Sequence, residues 1–244
     1  MFWHLNKILM KSQAAPECQR CAFREHSLFK NCQHDELLEM NENKCFHTYK
    51  KGQVIFHEGN RPFGLFCVFD GKVKISRLNS EGKEQIIRLA KSGDTLGYRS
   101  LIENTKYTAS AVALDDTQAC FLPATDFNSL IDSNVKVAND LMKMLAKALG
   151  ESQERMIHMA MKPVRERLAE ALLLLKATYH KTELADLFSI AISREDLAAI
   201  VGTAKETVIR FLSEFKEEGI VSSHGSTITI LKPDRLLKIS QLYD

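Results

Sequence analysis

The stretch that decides the fold spans residues 193–212: Ser193-Arg194-Glu195-Asp196-Leu197-Ala198-Ala199-Ile200-Val201-Gly202-Thr203-Ala204-Lys205-Glu206-Thr207-Val208-Ile209-Arg210-Phe211-Leu212. Ser193 is placed to cap a short helix, and Gly202 fits the sharp turn that ends it. Thr203 with Glu206 predicts a T-x-x-E capping box opening a second helix. In that helix Val208, Phe211, Leu212 and Phe215 share the inward face, while Lys205, Glu206, Ile209, Arg210 and Ser213 share the outward one. A helix pair of this kind presents the amino-terminal polar face of its second member to a DNA major groove.

The chemistry of that face suits base reading. Arg210 can donate twice to guanine O6 and N7, and Glu206 can accept from cytosine N4, each good contact discriminating by about 1–3 kcal/mol. The competing reading is a plain i, i+4 pair of Glu206 with Arg210, worth about 0.3–0.5 kcal/mol. Ile209 between them favours base reading, since an apolar side chain on a polar face gains nothing from water but can touch a thymine methyl. Ser193, Arg194 and Thr203 join Lys205, Glu206, Ile209, Arg210 and Ser213 as the candidate DNA-contacting set.

Downstream, Glu218-Gly219-Ile220-Val221 turns into Ser222-Ser223-His224-Gly225-Ser226-Thr227-Ile228-Thr229-Ile230, which reads as a hairpin or wing whose tip can lie on phosphates. Upstream, Pro163 suits the first turn of a helix from Val164 to about Tyr179, with Leu168, Ala171, Leu172 and Leu175 as its buried stripe. Before it, Val137, Leu141, Met144, Leu145, Ala148, Ser152, Met156 and Met159 recur at spacings of three, four and seven. The spacing predicts one long helix, 134–161, with a narrow apolar seam. Such a seam can lie on the chain's own sensor domain or against a parallel partner helix; its length favours a dimer.

From Thr48 to Pro123 glycines punctuate short apolar stretches: Val54-Ile55-Phe56, Leu65 to Phe69, Val73-Lys74-Ile75, Gln85 to Leu89, then Thr108 to Ala113 and Thr117 to Leu122. This is the pattern of an antiparallel β-roll or jelly roll. The fold class is therefore α+β, divided into a cysteine-containing segment (1–45), a β-roll sensor domain (46–132), a dimerisation helix (133–161) and a winged helix-turn-helix (162–244).

Composition sets the outer limits. A chain of 244 residues suits two domains, and 45% hydrophobic with 26% charged residues is ordinary for a globular protein. No run approaches the roughly 20 apolar residues of a membrane span, and the start lacks a signal-peptide core, so a cytoplasmic protein with no membrane partner is expected. Net charge is only +2, and residues 161–244 hold twelve Lys/Arg against twelve Asp/Glu, so the nucleic-acid reading rests on local geometry rather than on bulk charge. No catalytic constellation is visible, and the chain is not expected to be an enzyme. A cupin-like enzyme or small-molecule binder would need inward His and Glu ligands, and only His57-Glu58, beside a turn, is present.

The segment 192–230 resembles the winged helix of the CRP/FNR family, with Glu206-Thr207-Val208-Ile209-Arg210 as its core and Glu206 and Arg210 four apart. The roll and long helix follow in that family's order, so the resemblance covers nearly the whole chain. It implies a homodimer that reads an inverted repeat in double-stranded DNA, places Glu206 and Arg210 on a TGA-type core and engages RNA polymerase. Lys205 stands where many members carry Arg or Val, which leaves the outer bases open.

The same resemblance frames the signal. In cyclic-nucleotide-binding relatives a Gly-Glu pair holds the ribose and an Arg-Ser pair the phosphate; here the stretch reads Gly93-Asp94-Thr95-Leu96-Gly97-Tyr98-Arg99-Ser100-Leu101, then Tyr107-Thr108-Ala109. Tyr98 replaces the glutamate and Thr108 or Ala109 the arginine, so cAMP is disfavoured, with Arg99 the nearby cation. Gly97, Tyr98, Arg99, Ser100 and Thr108 are the candidate effector pocket. In the FNR branch three amino-terminal cysteines and one in a roll strand hold a [4Fe-4S] cluster. Cys18, Cys21, Cys32 and Cys120 are the corresponding candidates, although ten residues separate Cys21 from Cys32 where the FNR gap is shorter. C-x-x-C also serves zinc or thiol redox chemistry, Cys45 can replace Cys32, and the cysteines can bind nothing. Cys67 reads as a buried core residue, and His26, His34 and His47 could complete a mixed site. The expected signal is oxygen, nitric oxide or redox state, with an organic effector in the roll as the alternative.

Overall fold

The computed structural model describes residues 16–180 and 187–241. Helix α1 (His34–Asn43) leads into a roll of eight strands: β1 (Cys45–Tyr49), β2 (Val54–Phe56), β3 (Gly64–Asp70), β4 (Lys72–Leu78), β5 (Glu84–Lys91), β6 (Thr95–Leu96), β7 (Ser110–Ala113) and β8 (Thr117–Pro123), with α2 (Tyr98–Ile102) between β6 and β7. Then come α3 (Ala124–Ser133), α4 (Val135–Met161), α5 (Val164–Tyr179), β9 (Phe188–Ala191), α6 (Arg194–Val201), α7 (Lys205–Glu217), β10 (Val221–His224), β11 (Thr227–Ile230) and α8 (Pro233–Ser240).

The roll is two antiparallel four-stranded sheets, ordered β1-β8-β3-β6 and β2-β7-β4-β5. Strand alternation sorts β3: Phe66 and Val68 join the core between the sheets with Ile55, Val73, Leu96 and Ala111, while Leu65 and Cys67 face the other way. That second face is covered by α1, α3 and the start of α4, through Leu37, Met40, Phe127, Leu130, Val137 and Leu141. The predicted strand from Thr108 begins only at Ser110, after Tyr107 has tucked inward to stack on Phe56 at 4.0 Å.

The long helix is as expected, with Asn134 capping it through bonds from the Lys136 and Val137 amides at 3.0 and 3.1 Å. Its seam divides, which corrects the sequence reading. Val137 and Leu141 are buried against the chain's own roll, with Met144 and Leu145 partly so. Val135, Met142, Leu149 and Met156, seven residues apart, are left exposed, and so are Ile157 and Met161 at the end of the helix. Seven residues bring a side chain back to nearly the same side of a helix, so one stripe serves the roll and another stays open.

The carboxy-terminal domain is α5, α6 and α7 against a three-stranded sheet ordered β10-β11-β9, closed by α8. Its core continues into Ile86, Leu89 and Leu114 of the roll, so the two domains share a packed boundary. Among the described residues no helix is long and apolar enough to cross a membrane.

Candidate DNA interface and thiol-lined cavity

Helix α6 opens on Ser193, whose Oγ accepts from the Asp196 amide at 2.9 Å and donates to the Asp196 carboxylate at 2.6 Å. It closes on Gly202 at φ 70, with the Gly202 and Thr203 amides both returning to the Ala198 carbonyl. Left-handed backbone at that point suits glycine. Because Thr203 is engaged in closing α6, the predicted capping box does not form: the N-cap of α7 is Ala204, whose methyl accepts no hydrogen bond.

Val208, Leu212 and Phe215 anchor α7 in the domain core, at 0%, 5% and 0% exposure. That fixes the rotation of the helix, and Lys205, Glu206, Ile209, Arg210 and Ser213 are all exposed along one side. Arg210 is not paired with Glu206 but lies over the Phe211 ring, 4.7 Å from its centroid, which holds the guanidinium ready without consuming its donors. Lys205 bonds Glu195 of α6, Ser213 bonds back to the Ile209 carbonyl, and Arg194 donates to the Gly225 carbonyl at the wing tip at 3.3 Å. The wing pairs Val221 with Ile230 through His224 with Thr227, and its inner strand also pairs with β9, a strand the sequence reading missed.

At the other end of the molecule, four thiols ring one cavity of about 60 Å³. Cys18 opens the short turn Cys18–Arg20 and Cys21 caps its end, Cys67 comes from β3 and Cys120 from β8, and Cys67 and Cys120 are directly opposed across the strands. A volume of roughly 10–15 Å³ admits one water, so the space suits something larger. Phe23, Phe29, Phe69 and Leu122 form part of a mostly apolar wall that Arg24 and Ser27 also reach, and the Lys44 ammonium stands 3.4 Å from the Cys18 sulfur. Burial pushes the Cys18 thiol up against the opposing pull of Lys44. Burial likewise pushes Cys120 to about 11, and Cys67 is raised well above the ordinary thiol range by burial and its cysteine neighbours.

Cys32 is placed differently from its three companions in the predicted set. It is buried behind the lining residues Phe29, Leu37 and Met40 rather than on the cavity wall, and burial, then the Glu36 carboxylate and the neighbouring Cys18, push its thiol up to about 12. Cys45 is exposed. Among the described residues no three His, Cys, Asp or Glu side chains converge as a single-ion site would require. The thiols line a space rather than meet at a point.

The candidate effector residues differ in their exposure. Tyr98 and Ser100 are buried, Thr108 is exposed, and Arg99 points outward to bond Glu103 at 3.0 Å. Gly97, at φ 84, carries no side chain because the Tyr107 ring lies within 3.2 Å of where a Cβ would be.

Comparison with known proteins bears on both ends of the chain. Residues 46–134 match the cyclic nucleotide-binding domain family and residues 166–239 the Crp-like helix-turn-helix domain. A cyclic AMP receptor protein of Thermus thermophilus is 33% identical over 79% of this chain and 86% of its own. The chain belongs to the CRP/FNR family of transcription regulators. The transcriptional activator protein anr of Pseudomonas aeruginosa is 28% identical over 91% of this chain and 92% of its own. A crystal structure of a CRP/FNR-family regulator from Thermus thermophilus superposes with a TM-score of 0.69 at 25% identity, covering 81% of this chain and 98% of that one. Membership brings with it the α+β architecture of roll, helices and helix-turn-helix, and a DNA-binding regulatory role.

Proposed function

We propose that this CRP/FNR regulator is a cytoplasmic homodimer that inserts two copies of α7 into an inverted repeat, recruits RNA polymerase, and registers oxygen, nitric oxide or redox state through thiolates of its amino-terminal segment. Two recognition helices must lie about 34 Å apart to enter successive major grooves. The exposed heptad Val135, Met142, Leu149 and Met156 supports the pairing of two α4 helices that would set this spacing. The side chains read as base contacts, Glu206, Ile209 and Arg210, are free on the α7 surface, with Ser193, Arg194, Thr203, Lys205 and Ser213 around them for phosphates.

The observation that carries the signal reading is the cavity walled by four thiols. Iron–sulfur clusters are held by cysteine thiolates and occupy the space between them, and a neighbouring ammonium such as Lys44 offsets their negative charge. The residues present therefore fit such a group. When bound, it supplies oxidant-sensitive electron chemistry; the chain's own residues supply ligands, an apolar wall that limits water, and a rigid attachment to β3 and β8.

The test is anaerobic purification with iron and acid-labile sulfide assays, coupled to DNA binding before and after air. Iron and sulfide in comparable amounts, with DNA affinity changed by air, are expected. A colourless, iron-free protein under those conditions defeats the cluster reading. An organic effector is the second reading, favoured by the cyclic nucleotide-binding match over 46–134. It is supported instead if added cAMP raises DNA affinity of the iron-free chain.

A further inference from the structure

Resting on the thiolate-site reading above, we propose that the four ligands are Cys18, Cys21, Cys67 and Cys120, with Cys67 in the place that sequence order gives to Cys32. Three observations converge. Cys67 shares the cavity wall with the other three and Cys32 does not. Cys67 and Cys120 oppose one another on neighbouring strands, a register that brings Cβ atoms to about 4.5–5.5 Å and aims both sulfurs at the same side. Strand alternation turns Cys67 to the outer face with Leu65, while Phe66 and Val68 fill the roll.

This ligand set has a regulatory consequence. Two ligands come from the amino-terminal turn and two from adjacent roll strands, so the site would staple the segment 18–21 onto β3 and β8 across the cavity. Leu65 and Leu122, on the same face as Cys67 and Cys120, pack in one cluster with Val137 and Leu141 of α4. The chain that follows this segment is tied to the same helix: Asn31 donates to Asp140, and Asn134, its N-cap, donates to Glu36 of α1 at 2.8 Å. Occupancy of the four thiols is thereby coupled to the base of the helix whose open heptad faces a partner.

The experiment compares the full-length chain with Cys67→Ser, Cys32→Ser and Cys45→Ser variants, each purified anaerobically and reconstituted with iron and sulfide. Serine is nearly isosteric, and Cys67→Ala serves as a second variant. Far-ultraviolet dichroism of the iron-free forms establishes that each is folded. Loss of a ligand is expected to cut iron and sulfide by roughly ten-fold or more, or to shift the visible and electron paramagnetic spectra of what remains, at Cys67 alone. Cys32→Ser and Cys45→Ser should match the parent. Full iron and sulfide with an unchanged spectrum in folded Cys67→Ser or Cys67→Ala overturns the assignment, as does loss at Cys32 with retention at Cys67. A parent chain that takes up no iron defeats the underlying cluster reading instead, so the two failures are distinguishable.

Discussion

Lys74 of β4 and Asp196 of α6 form a 2.6 Å ion pair across the boundary between the roll and the helix-turn-helix, and Glu84 of β5 holds the same ammonium at 2.7 Å. Only 13% of the Lys74 side chain and 17% of that of Asp196 are exposed. The pair is reinforced by Gln85, which donates to the Ala199 carbonyl at 2.7 Å. Burial works against the Lys74 charge, but hydrogen bonds to Asp196 and Glu84 outweigh it and raise its pKa. The roll therefore grips the first helix of the DNA-binding motif through a charged bond screened from water.

Asp196→Asn is expected to loosen this grip and to lower stability by about 1–3 kcal/mol, the cost of weakening a charged, largely buried hydrogen bond while Glu84 still holds the lysine. Thermal unfolding checks this. A raised lysine pKa contributes stability that is fully present below the ordinary value of 10.5 and lost as pH rises through the folded value. The gap between parent and variant should thus hold from neutral pH to about 10 and narrow above 10.5. A gap that closes between pH 6 and 8 would mean that another group carries the effect.

Arg210→Ala is expected to weaken binding to the preferred inverted repeat by about 1–3 kcal/mol per half-site and to relax selectivity at one base pair, while leaving thermal stability within about 0.5 kcal/mol. The stability expectation follows from the exposure of Arg210, which rests over the neighbouring Phe211 ring. Fluorescence anisotropy on the repeat and on scrambled duplex separates the two effects. Equal loss on both duplexes would reassign Arg210 to phosphate contact.

Much of this was legible in the sequence, and the reasons for the rest are physical. Periodicity found α4 and α7 because a 3.6-residue repeat is written locally, and glycine spacing found the roll because tight turns leave the same mark. The capping box failed because Thr203 was spent closing α6, a choice made by the Gly202 turn rather than by local preference. Half of the α4 seam went to the roll because burial against α1 and α3 is tertiary information. Cys67 was read as core, and only the pairing of β3 with β8 sets it opposite Cys120. Alternation within Leu65 to Phe69 was the one available hint. The Lys74–Asp196 pair spans 122 residues and leaves no sequence signal.

Under the dimer proposed above, Leu149→Glu should yield a monomer and abolish binding to the full repeat. The residue is 61% exposed in the single chain, with Met142 at 59% and Met156 at 67% one heptad to either side. Opposed glutamates in the middle of an apolar seam would be desolvated and mutually repulsive. Sedimentation should report one chain per particle, with unchanged far-ultraviolet dichroism. A Leu149→Glu protein that remains dimeric would place the interface elsewhere.

Alkylation of the metal-free protein should rank the thiols by charge and exposure. Cys45 is exposed and is expected to react first. With Cys120 pushed up to about 11 and Cys32 to about 12, roughly one in a thousand and one in ten thousand are thiolate at pH 8. Deprotonation rises with pH, so raising it from 8 to 9.5 should speed Cys120 modification by about 30-fold, as peptide mass mapping reads. Rates at Cys120 that do not depend on pH would show that opening of the cavity, rather than ionisation, controls access.

Asp140→Ala tests whether the cysteine segment speaks to the long helix. Its carboxylate accepts from Asn31 and pairs with Lys30 at 3.5 Å, and only 11% of it is exposed. Removing it should leave metal loading intact, because Asp140 does not line the thiol cavity. The fold should lose about 1–2 kcal/mol from the broken bonds. If signal reaches α4 through this attachment, the difference in DNA affinity between anaerobic and air-exposed protein should shrink several-fold while the loaded spectrum stays that of the parent. An undiminished response with Asp140 gone would leave the apolar contacts of Leu65 and Leu122 with Val137 and Leu141 as the working connection.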